Sequence, residues 1–189
     1  MSSRQEKRPG RRQALAIGAA AVAVAAVLVV GTVVATRNSG PAPVASLGGE
    51  GGGRAVSLAG PDPVTGKRVE LEQYLGRPVV INIWASWCPG CVAEAEDLRR
   101  FAEAHPEAQV IGVDIQDTRG GARDFYRRWG WTWPSVFDPS GEIAAGLGLQ
   151  GLPTTLFLDE QHRIVARIVG EGDFEGFEQG LREAAAANS

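Results

Sequence analysis

The longest apolar stretch of the chain runs from Ala14 to Ala35 and contains no charged side chain. As an α-helix it would be about 33 Å long, enough to cross a hydrocarbon core of about 30 Å. Residues 1–37 carry six basic side chains and one acidic one, and five of the basic residues precede the stretch. The positive-inside rule therefore predicts a transmembrane anchor over residues 14–35. Residues 1–13 would lie in the cytoplasm and the rest of the chain outside it.

A cleaved signal peptide is the main alternative to an anchor, because Val33 and Ala35 would fit a small-residue cleavage site. The stretch is longer than the apolar region of most signal peptides, about 7–15 residues, which favours an uncleaved anchor. Arg11 and Arg12 leave both the general and the twin-arginine export routes open. Residues 36–54 are rich in Gly, Pro, Ser and Ala and predict a flexible tether.

From residue 55 onward, apolar runs alternate with amphipathic segments. Near-continuous apolar runs predict buried strands, and segments with apolar residues on one face predict helices. The predicted extended segments are Ala55–Leu58, Arg68–Leu71, Val79–Trp84, Gln109–Asp114, Ser135–Phe137, Thr154–Leu158 and Ile164–Val169. The predicted helices are Pro89–Ala104, Arg119–Trp129, Glu142–Leu147 and Phe174–Ala187. This order predicts an α/β domain over residues 55–189, with a mixed central sheet and helices on both faces.

Composition and charge narrow the class of protein. Of the 189 residues, 44% are hydrophobic and 22% are charged, which excludes a disordered chain. Residues 38–189 carry 13 basic and 21 acidic side chains, so we expect no basic surface of the kind that binds nucleic acid. Two cysteines are too few for a disulfide scaffold.

The candidate chemistry centres on Cys88 and Cys91, which flank Pro89 and Gly90 between a predicted strand and the helix that follows. Unpaired N–H groups and the dipole at a helix N-terminus favour a thiolate, so we expect the pKa of Cys88 to lie below about 8.5. Cys91 is near enough to form a disulfide across the first turn. The motif predicts that Cys88 attacks a substrate disulfide and that Cys91 resolves the mixed disulfide.

Other interpretations of the cysteine pair fit less well. A zinc site would need two further ligands, and His105 and His162 are the only histidines. Covalent haem would need a histidine directly after the second cysteine, where Val92 stands. A purely structural disulfide would close a very short loop and restrain little chain. The sequence thus predicts neither a metal nor a cofactor.

The segment Val80–Cys91 (VINIWASWCPGC) resembles the active-site strand and helix of membrane-anchored thioredoxin-like proteins, the TlpA/ResA/DsbE group of thiol-disulfide oxidoreductases. Val110–Asp114 (VIGVD) and Gly151–Asp159 (GLPTTLFLD) resemble later blocks of that group, in the same order. The resemblance covers about residues 55–187 and implies a thioredoxin-like fold. It also implies exchange with extracytoplasmic protein thiols and disulfides, including those of cytochrome c maturation, and a membrane or extracytoplasmic electron donor or acceptor.

The resemblance assigns further residues around the cysteines. Pro153 matches the family's cis-proline, which faces the cysteine pair, and the backbone of Leu152 would pair with an extended substrate. We therefore expect Trp87, Leu152 and Pro153 to contact substrate. Pro89 and Gly90 would tune the reduction potential, so the resemblance does not fix the direction of electron flow.

An acidic residue at the position of Glu94 lies near the thiols in this group, and we interpret Glu94 as a proton carrier for Cys91. The alternative is a solvated charge on the helix surface. Asn82 stands where ordinary thioredoxins carry a buried Asp, which moves the proton-transfer role toward Glu94. Many members have Pro where this chain has Glu96, so we expect a straighter helix with a different docking surface.

Two alternatives concern binding rather than chemistry. A redox-inert module with the same fold could present the groove at Leu152 and Pro153 to a partner. The alternating Trp129, Trp131 and Trp133 could form an aromatic docking patch, but core packing is the favoured interpretation.

Overall fold

A computed structural model of the chain describes residues 41–47 and 53–187. The strands are β1 (Ala45–Ser46), β2 (Ala59–Pro61), β3 (Arg68–Glu70), β4 (Val79–Trp84), β5 (Gln109–Ile115), β6 (Ser135–Asp138), β7 (Thr154–Leu158) and β8 (Ile164–Val169). The α-helices are α1 (Pro89–Ala104), α2 (Arg119–Trp129), α3 (Glu142–Gly146) and α4 (Phe174–Ala186). A short 3₁₀ turn covers Leu71–Tyr74.

The main sheet has the strand order β1-β8-β7-β4-β5-β6. β4 and β5 are parallel, as are β5 and β6, whereas β7 runs antiparallel to both β4 and β8. β2 and β3 form a separate antiparallel hairpin. The predicted mixed central sheet is confirmed, and β4, which bears the segment leading to the cysteines, lies at its centre.

Apolar clusters cover both faces of the sheet, and β4 contributes to each. Val80 and Trp84 point into one cluster together with residues of α1, α2 and α4. Val79, Ile81 and Ile83 point into the other, which includes residues of α3 and β3. This alternation follows from the two-residue period of a strand. Helices therefore lie on both faces, as predicted.

The tether predicted over residues 36–54 is partly ordered as a strand. Ala45 pairs with Arg167 and Ser46 with Ala166, so that β1 extends the sheet beyond β8. An edge strand offers unpaired backbone N–H and C=O groups, which pair with an extended segment whatever its side chains are. The compact unit that holds the sheet accordingly begins at Pro41 rather than at residue 55.

Element bounds otherwise follow the sequence pattern closely. From Arg68 onward, the predicted helices and strands differ from the observed ones by one residue at most. The extended segment predicted over Ala55–Leu58 is wrong: Ala55 makes an isolated bridge to Arg163, and the strand itself is β2, a few residues later.

The anchor predicted over residues 14–35, the cytoplasmic segment 1–13 and much of the tether lie outside the described residues. Within residues 41–47 and 53–187, no helix has both the length and the apolar character needed to span a bilayer.

Candidate active site

The cysteine motif lies where β4 leads into α1. All six residues of β4 are buried, which fixes the position at which the chain leaves the sheet. The N–H of Cys88 donates to the carbonyl of Ala85 at 3.2 Å and closes the turn between the two elements. Pro89 then begins α1, where a residue without an N–H costs no helical hydrogen bond.

Cys88 is the N-cap of α1, as predicted from the motif. Its Sγ accepts a hydrogen bond from the N–H of Cys91 at 3.3 Å. Both side chains are free thiols, with Cys88 4% exposed and Cys91 fully buried. Burial, and then the hydrogen bond with Cys88, raise the pKa of Cys91 far above that of an ordinary thiol. Of the two cysteines, Cys88 is therefore the residue nearer to solvent, and Cys91 is the interior one.

The Leu152–Pro153 peptide bond is cis, as the resemblance implied. Pro153 lies against the first turn of α1: a Cβ atom on Gly90 would come within 2.9 Å of Pro153 Cδ. The missing side chain at Gly90 is what permits this approach. The carbonyl of Pro153 accepts from the N–H of Gly170 at 2.9 Å, which ties the loop to the end of β8.

The other residues predicted to contact substrate lie at the same end of the sheet. The Trp87 side chain is 57% exposed although its Nε1–H donates to the carbonyl of Gln116 at 3.0 Å. Leu152 is half-buried against the apolar clusters on both faces of the sheet. An exposed aromatic side chain before Cys88 and a half-buried loop beside Gly90 thus flank the motif.

Glu94 is buried inside the protein and is not a solvated helix charge. Only 1% of the residue is exposed. Its Oε1 accepts from Asn82 Nδ2 at 2.8 Å, and its Oε2 accepts from the N–H of Gly172 at 2.8 Å. Burial raises the pKa of Glu94 to about 8, although both hydrogen bonds act to lower it. The charge of Glu94 in turn contributes to the raised pKa of Cys91.

Asn82 links β4 to α1 on the side of the sheet that carries the cysteines. Its Nδ2 donates both to Glu94 and to Thr155 Oγ1, the latter at 3.0 Å. Its Oδ1 has no hydrogen-bond partner among the described residues. Since an amide does not titrate, Glu94 is the group in this network that can carry a proton.

Two acidic residues that the sequence analysis passed over lie behind the motif. Asp114 is fully buried near the end of β5, and Asp117 Oδ2 accepts from the N–H of Ser86 at 2.6 Å. Burial, and then the charge of Asp117, raise the pKa of Asp114 to about 8. A carboxyl within the apolar run of Gln109–Ile115 was the signal that could have revealed the pair.

The three alternating tryptophans pack mainly into the core. Trp131 and Trp133 are buried with ring centroids 4.6 Å apart, and Trp131 meets Trp84 edge-on at 5.2 Å. Trp131 Nε1 donates to the carbonyl of Ala95 at 3.0 Å. Trp129 is partly buried against the same cluster. These contacts favour packing over a docking patch, and they hold α1 against the segment that follows α2.

The described residues contain no group of three or more His, Cys, Asp and Glu side chains that could hold a metal ion. His105 follows the last residue of α1, at the opposite end of that helix from Cys88, and its ring nitrogens face Glu107 and Glu178. His162 lies in the turn between β7 and β8. Neither histidine is placed to complete a zinc site with the cysteines.

Known proteins resemble this chain in sequence and in fold. The Redoxin family matches residues 50–181. Thiol-disulfide oxidoreductase ResA of Bacillus thuringiensis subsp. konkukian is 28% identical over 120 residues, which are 62% of this chain and 69% of that protein. Thiol:disulfide interchange protein DsbE of Vibrio cholerae is 31% identical over 117 residues, 61% of this chain and 62% of that protein. The solved structure of a DsbF homologue from Corynebacterium diphtheriae superposes with a TM-score of 0.68 at 27% identity, covering 78% of this chain and 95% of the other. The likeness confirms the thioredoxin-like fold.

Proposed function

The chain belongs to the Redoxin family and is related to its thiol-disulfide oxidoreductases, and from this premise we propose that it exchanges a Cys88–Cys91 dithiol or disulfide with protein substrates outside the cytoplasm. One observation carries the proposal. Cys88 caps α1 and is the cysteine nearer to solvent, while Cys91 is fully buried one turn away and a buried carboxyl, Glu94, follows on the same helix.

The reaction follows from the different surroundings of the two sulfurs. In the reductive direction, the Cys88 thiolate attacks one sulfur of a substrate disulfide and expels the other as a thiolate. Cys91 then attacks Cys88 Sγ, releases the remaining substrate thiolate and closes the Cys88–Cys91 disulfide. Two electrons pass to the substrate, and a donor dithiol restores the enzyme. The oxidative direction runs through the same steps in reverse.

Glu94 supplies the proton transfer that the second step requires. Cys91 attacks only as a thiolate, but burial keeps its thiol protonated at neutral pH. A carboxylate whose pKa lies near neutrality is suited to accept that proton and to return it in the reverse direction. The spacing of three residues places Glu94 and Cys91 on one face of α1.

Substrate recognition falls to the loop before β7 and to Trp87. An extended polypeptide that pairs with the backbone of Leu152, beside cis-Pro153, would bring its cysteine to Cys88. The exposed ring of Trp87 offers apolar contact next to the reacting sulfur. Both features suit a protein substrate with an accessible disulfide better than a small buried ligand.

The proposed location is the outer face of a membrane, with residues 14–35 as the anchor. The apolar stretch and the basic residues before it support this topology. Substrates would then be extracytoplasmic protein thiols and disulfides, among them the haem-binding thiols of apocytochrome c. A membrane-bound or extracytoplasmic partner would exchange electrons with the Cys88–Cys91 pair.

Trapping of the mixed disulfide tests the proposal. In Cys91→Ser the attack by Cys88 proceeds but resolution does not, so we expect a stable covalent complex with a disulfide-containing protein such as insulin. It would appear on a non-reducing gel and disappear on addition of dithiothreitol. Cys88→Ser is the matched control and should form no complex.

Two outcomes would contradict the proposal. A complex with Cys88→Ser and none with Cys91→Ser would reverse the roles of the two sulfurs. No insulin reduction by the wild type above the uncatalysed rate, with no covalent complex in either variant, would leave the redox-inert binding module as the function.

A further inference from the structure

Residues 41–44, which we call the strap, lie against the loop that follows β8. Ala42 and Val44 are half-buried and pack against the apolar cluster that contains the cysteines, whereas Pro41 and Pro43 are exposed. This two-residue alternation is typical of an extended segment with one buried face. Because β1 runs antiparallel to β8, the strap lies beside the end of β8 that meets the start of β7, close to the cis-proline.

One backbone hydrogen bond joins the strap to the loop of residues 170–172. The N–H of Ala42 donates to the carbonyl of Glu171 at 2.7 Å. The two segments also touch beside this bond, since a Cβ atom on Gly170 would lie 3.4 Å from Ala42 Cβ. Gly170 has a φ of +101, which side chains rarely adopt, so the shape of the loop depends on this glycine. The strap is therefore in direct contact with the loop.

The same loop holds two parts of the candidate active site. The N–H of Gly172 donates to Glu94 Oε2 at 2.8 Å. The N–H of Gly170 donates to the carbonyl of Pro153 at 2.9 Å. The loop thus offers one donor to the proposed proton carrier and one to the segment proposed to bind substrate.

The carbonyl of Glu171 and the N–H of Gly172 belong to one peptide group. A trans peptide group is planar, so its C=O and N–H point in opposite directions and turn together. A donor bound to the oxygen also polarises the group and strengthens the hydrogen bond that its N–H gives, by about 10–30% in chains of hydrogen bonds. The contacts therefore form one chain that runs from the N–H of Ala42, through this peptide group, to Glu94 Oε2.

We propose that Ala42 is a positioning residue for Glu94, acting through the peptide group of residues 171–172. The N–H of Ala42 holds this peptide group so that its own N–H points at the carboxyl of Glu94. An ionised carboxylate gains more from such a donor than a neutral carboxyl does, so the strap favours the form of Glu94 that accepts a proton. The inference rests on the proposed function, in which that proton comes from Cys91.

The other groups that act on Glu94 make this donor important. Asn82 of β4 donates to Oε1 at 2.8 Å and is uncharged. Cys91 of α1 and Glu171 of the loop are the titratable groups that interact with Glu94, and a negative charge on either opposes its ionisation. Neither can carry a positive charge, so neutral N–H donors stabilise the carboxylate against the cost of burial. Weakening one of these donors should therefore be visible in the titration of Glu94.

Ala42→Pro breaks the chain at its first bond. The variant lacks the N–H, and its ring places a carbon atom where the hydrogen pointed at the Glu171 carbonyl, so the strap and the loop must separate. The hydrogen bond from Gly172 lowers the pKa of Glu94, which is about 8 in the wild type. In the full-length reduced chain, we expect the carboxyl carbon of Glu94 to titrate about 0.5–1 pH unit higher than in the wild type, as measured by nuclear magnetic resonance. The pH dependence of insulin reduction should move in the same direction.

Leu47→Pro is the matched control, because it removes one backbone donor from the other end of the same segment. The acceptor of that donor, the carbonyl of Val165, lies within β8 and away from the loop. Leu47→Pro should lower stability but leave the titration midpoint of Glu94 at the wild-type value. Ala42→Ser keeps the N–H and should also keep that midpoint.

An equal midpoint in the wild type and in Ala42→Pro overturns the proposal, and so does an equal shift in Leu47→Pro. If Ala42→Pro fails to fold, the wild type decides. The amide proton of Ala42 must then change its chemical shift at the pH at which Glu94 titrates, and an unchanged shift overturns the proposal. These measurements do not depend on turnover. A shifted midpoint in Ala42→Pro, together with no trapped complex in Cys91→Ser, would therefore reject only the proposed function.

Discussion

The contact between Gly90 and Pro153 shows how one position shapes the site. The sequence motif links Gly90 only to the reduction potential, since the dipeptide between the cysteines tunes it. The structure adds a steric requirement, because the first turn of α1 and the cis-proline loop approach so closely that a methyl group would not fit. No pattern near residue 90 could predict this, since the contact joins residues 63 positions apart in the chain.

Gly90→Ala should separate the cis-proline loop from the cysteines. The added Cβ would lie 2.9 Å from the Pro153 ring, which cannot rotate away, so the loop or the helix must shift. We expect a loss of about 1–3 kcal/mol in the free energy of unfolding, as for overpacked cores, and slower reduction of insulin. Urea unfolding and the insulin assay measure the two effects.

Gly146→Ala is the matched control for this substitution. Gly146 ends α3, and a Cβ atom there would meet no atom within 4 Å. The free energy of unfolding of Gly146→Ala should equal that of the wild type or exceed it slightly, since alanine favours a helix more than glycine does. Equal stability and activity of both variants would show that the Gly90–Pro153 contact is not needed.

At the level of elements, the sequence predicted what local patterns encode. β4, α1 and α2 have the predicted bounds because each combines an apolar pattern with a clear start or stop. The sequence brings Cys88, Cys91 and Glu94 together because Cys88 caps α1 and the other two residues lie on that helix. The donor from Gly172 and the acid pair behind Ser86 were not predicted, since these contacts join segments that are distant in sequence.

Strand β1 also could not be predicted from local sequence, because it forms only by pairing with the distant strand β8. It has two residues, both exposed, and no apolar alternation that could reveal a strand. Backbone hydrogen bonds hold β1 in place. In addition to the pairing of β1 with β8, the N–H of Leu47 donates to the carbonyl of Val165 at 2.8 Å. The attachment shields the edge of the sheet where the tether meets the domain.

Leu47→Pro should weaken this edge by removing one backbone donor. The proline has no N–H to offer Val165, while its preference for an extended preceding residue leaves Ser46 undisturbed. We expect a loss of about 1 kcal/mol in the free energy of unfolding, measured with urea. Leu47→Ala keeps the N–H and removes a side chain that is already 47% exposed, so it should change little. If Leu47→Pro and Leu47→Ala unfolded at the same urea concentration, the hydrogen bond from Leu47 would add nothing to stability.

Across the whole molecule, Glu94 joins three elements through one carboxyl. It belongs to α1, binds Asn82 of β4, and accepts from Gly172 in the connection between β8 and α4. The same carboxyl is thus both the proposed proton carrier and a link across one face of the sheet. Its protonation state must therefore affect the stability of the fold as well as the reaction.

The folded protein should lose stability as pH rises, and Glu94 should account for part of that loss. The pKa of Glu94 is 4.5 in an ordinary environment and about 8 in the fold, so between these values the folded state holds a proton that the unfolded chain releases. The free energy of unfolding therefore falls as pH increases from about 5 to 8, with each unit of pKa difference corresponding to about 1.4 kcal/mol. Asp114 acts in the same direction, and Cys91 extends the decline above pH 8 in reduced protein.

Glu94→Gln tests this linkage through its difference from wild type at several pH values. At pH 5 the variant should be less stable, because glutamine offers one oxygen to the two donors Asn82 and Gly172. At pH 9 the wild type also bears the cost of a buried charge, so the difference should shrink or change sign. Urea unfolding at pH 5, 7 and 9 in the presence of reductant measures this difference in stability.

Glu96→Gln is the matched control, because Glu96 is an exposed acid on the same helix. The hydrogen bond from Arg99 lowers the pKa of Glu96, so the free energy of unfolding of this variant should differ from that of the wild type by a constant amount from pH 5 to 9. A constant difference for Glu94→Gln as well would mean that Glu94 has the same charge in the folded and unfolded chain from pH 5 to 9, and it would remove the proton carrier from the proposed mechanism.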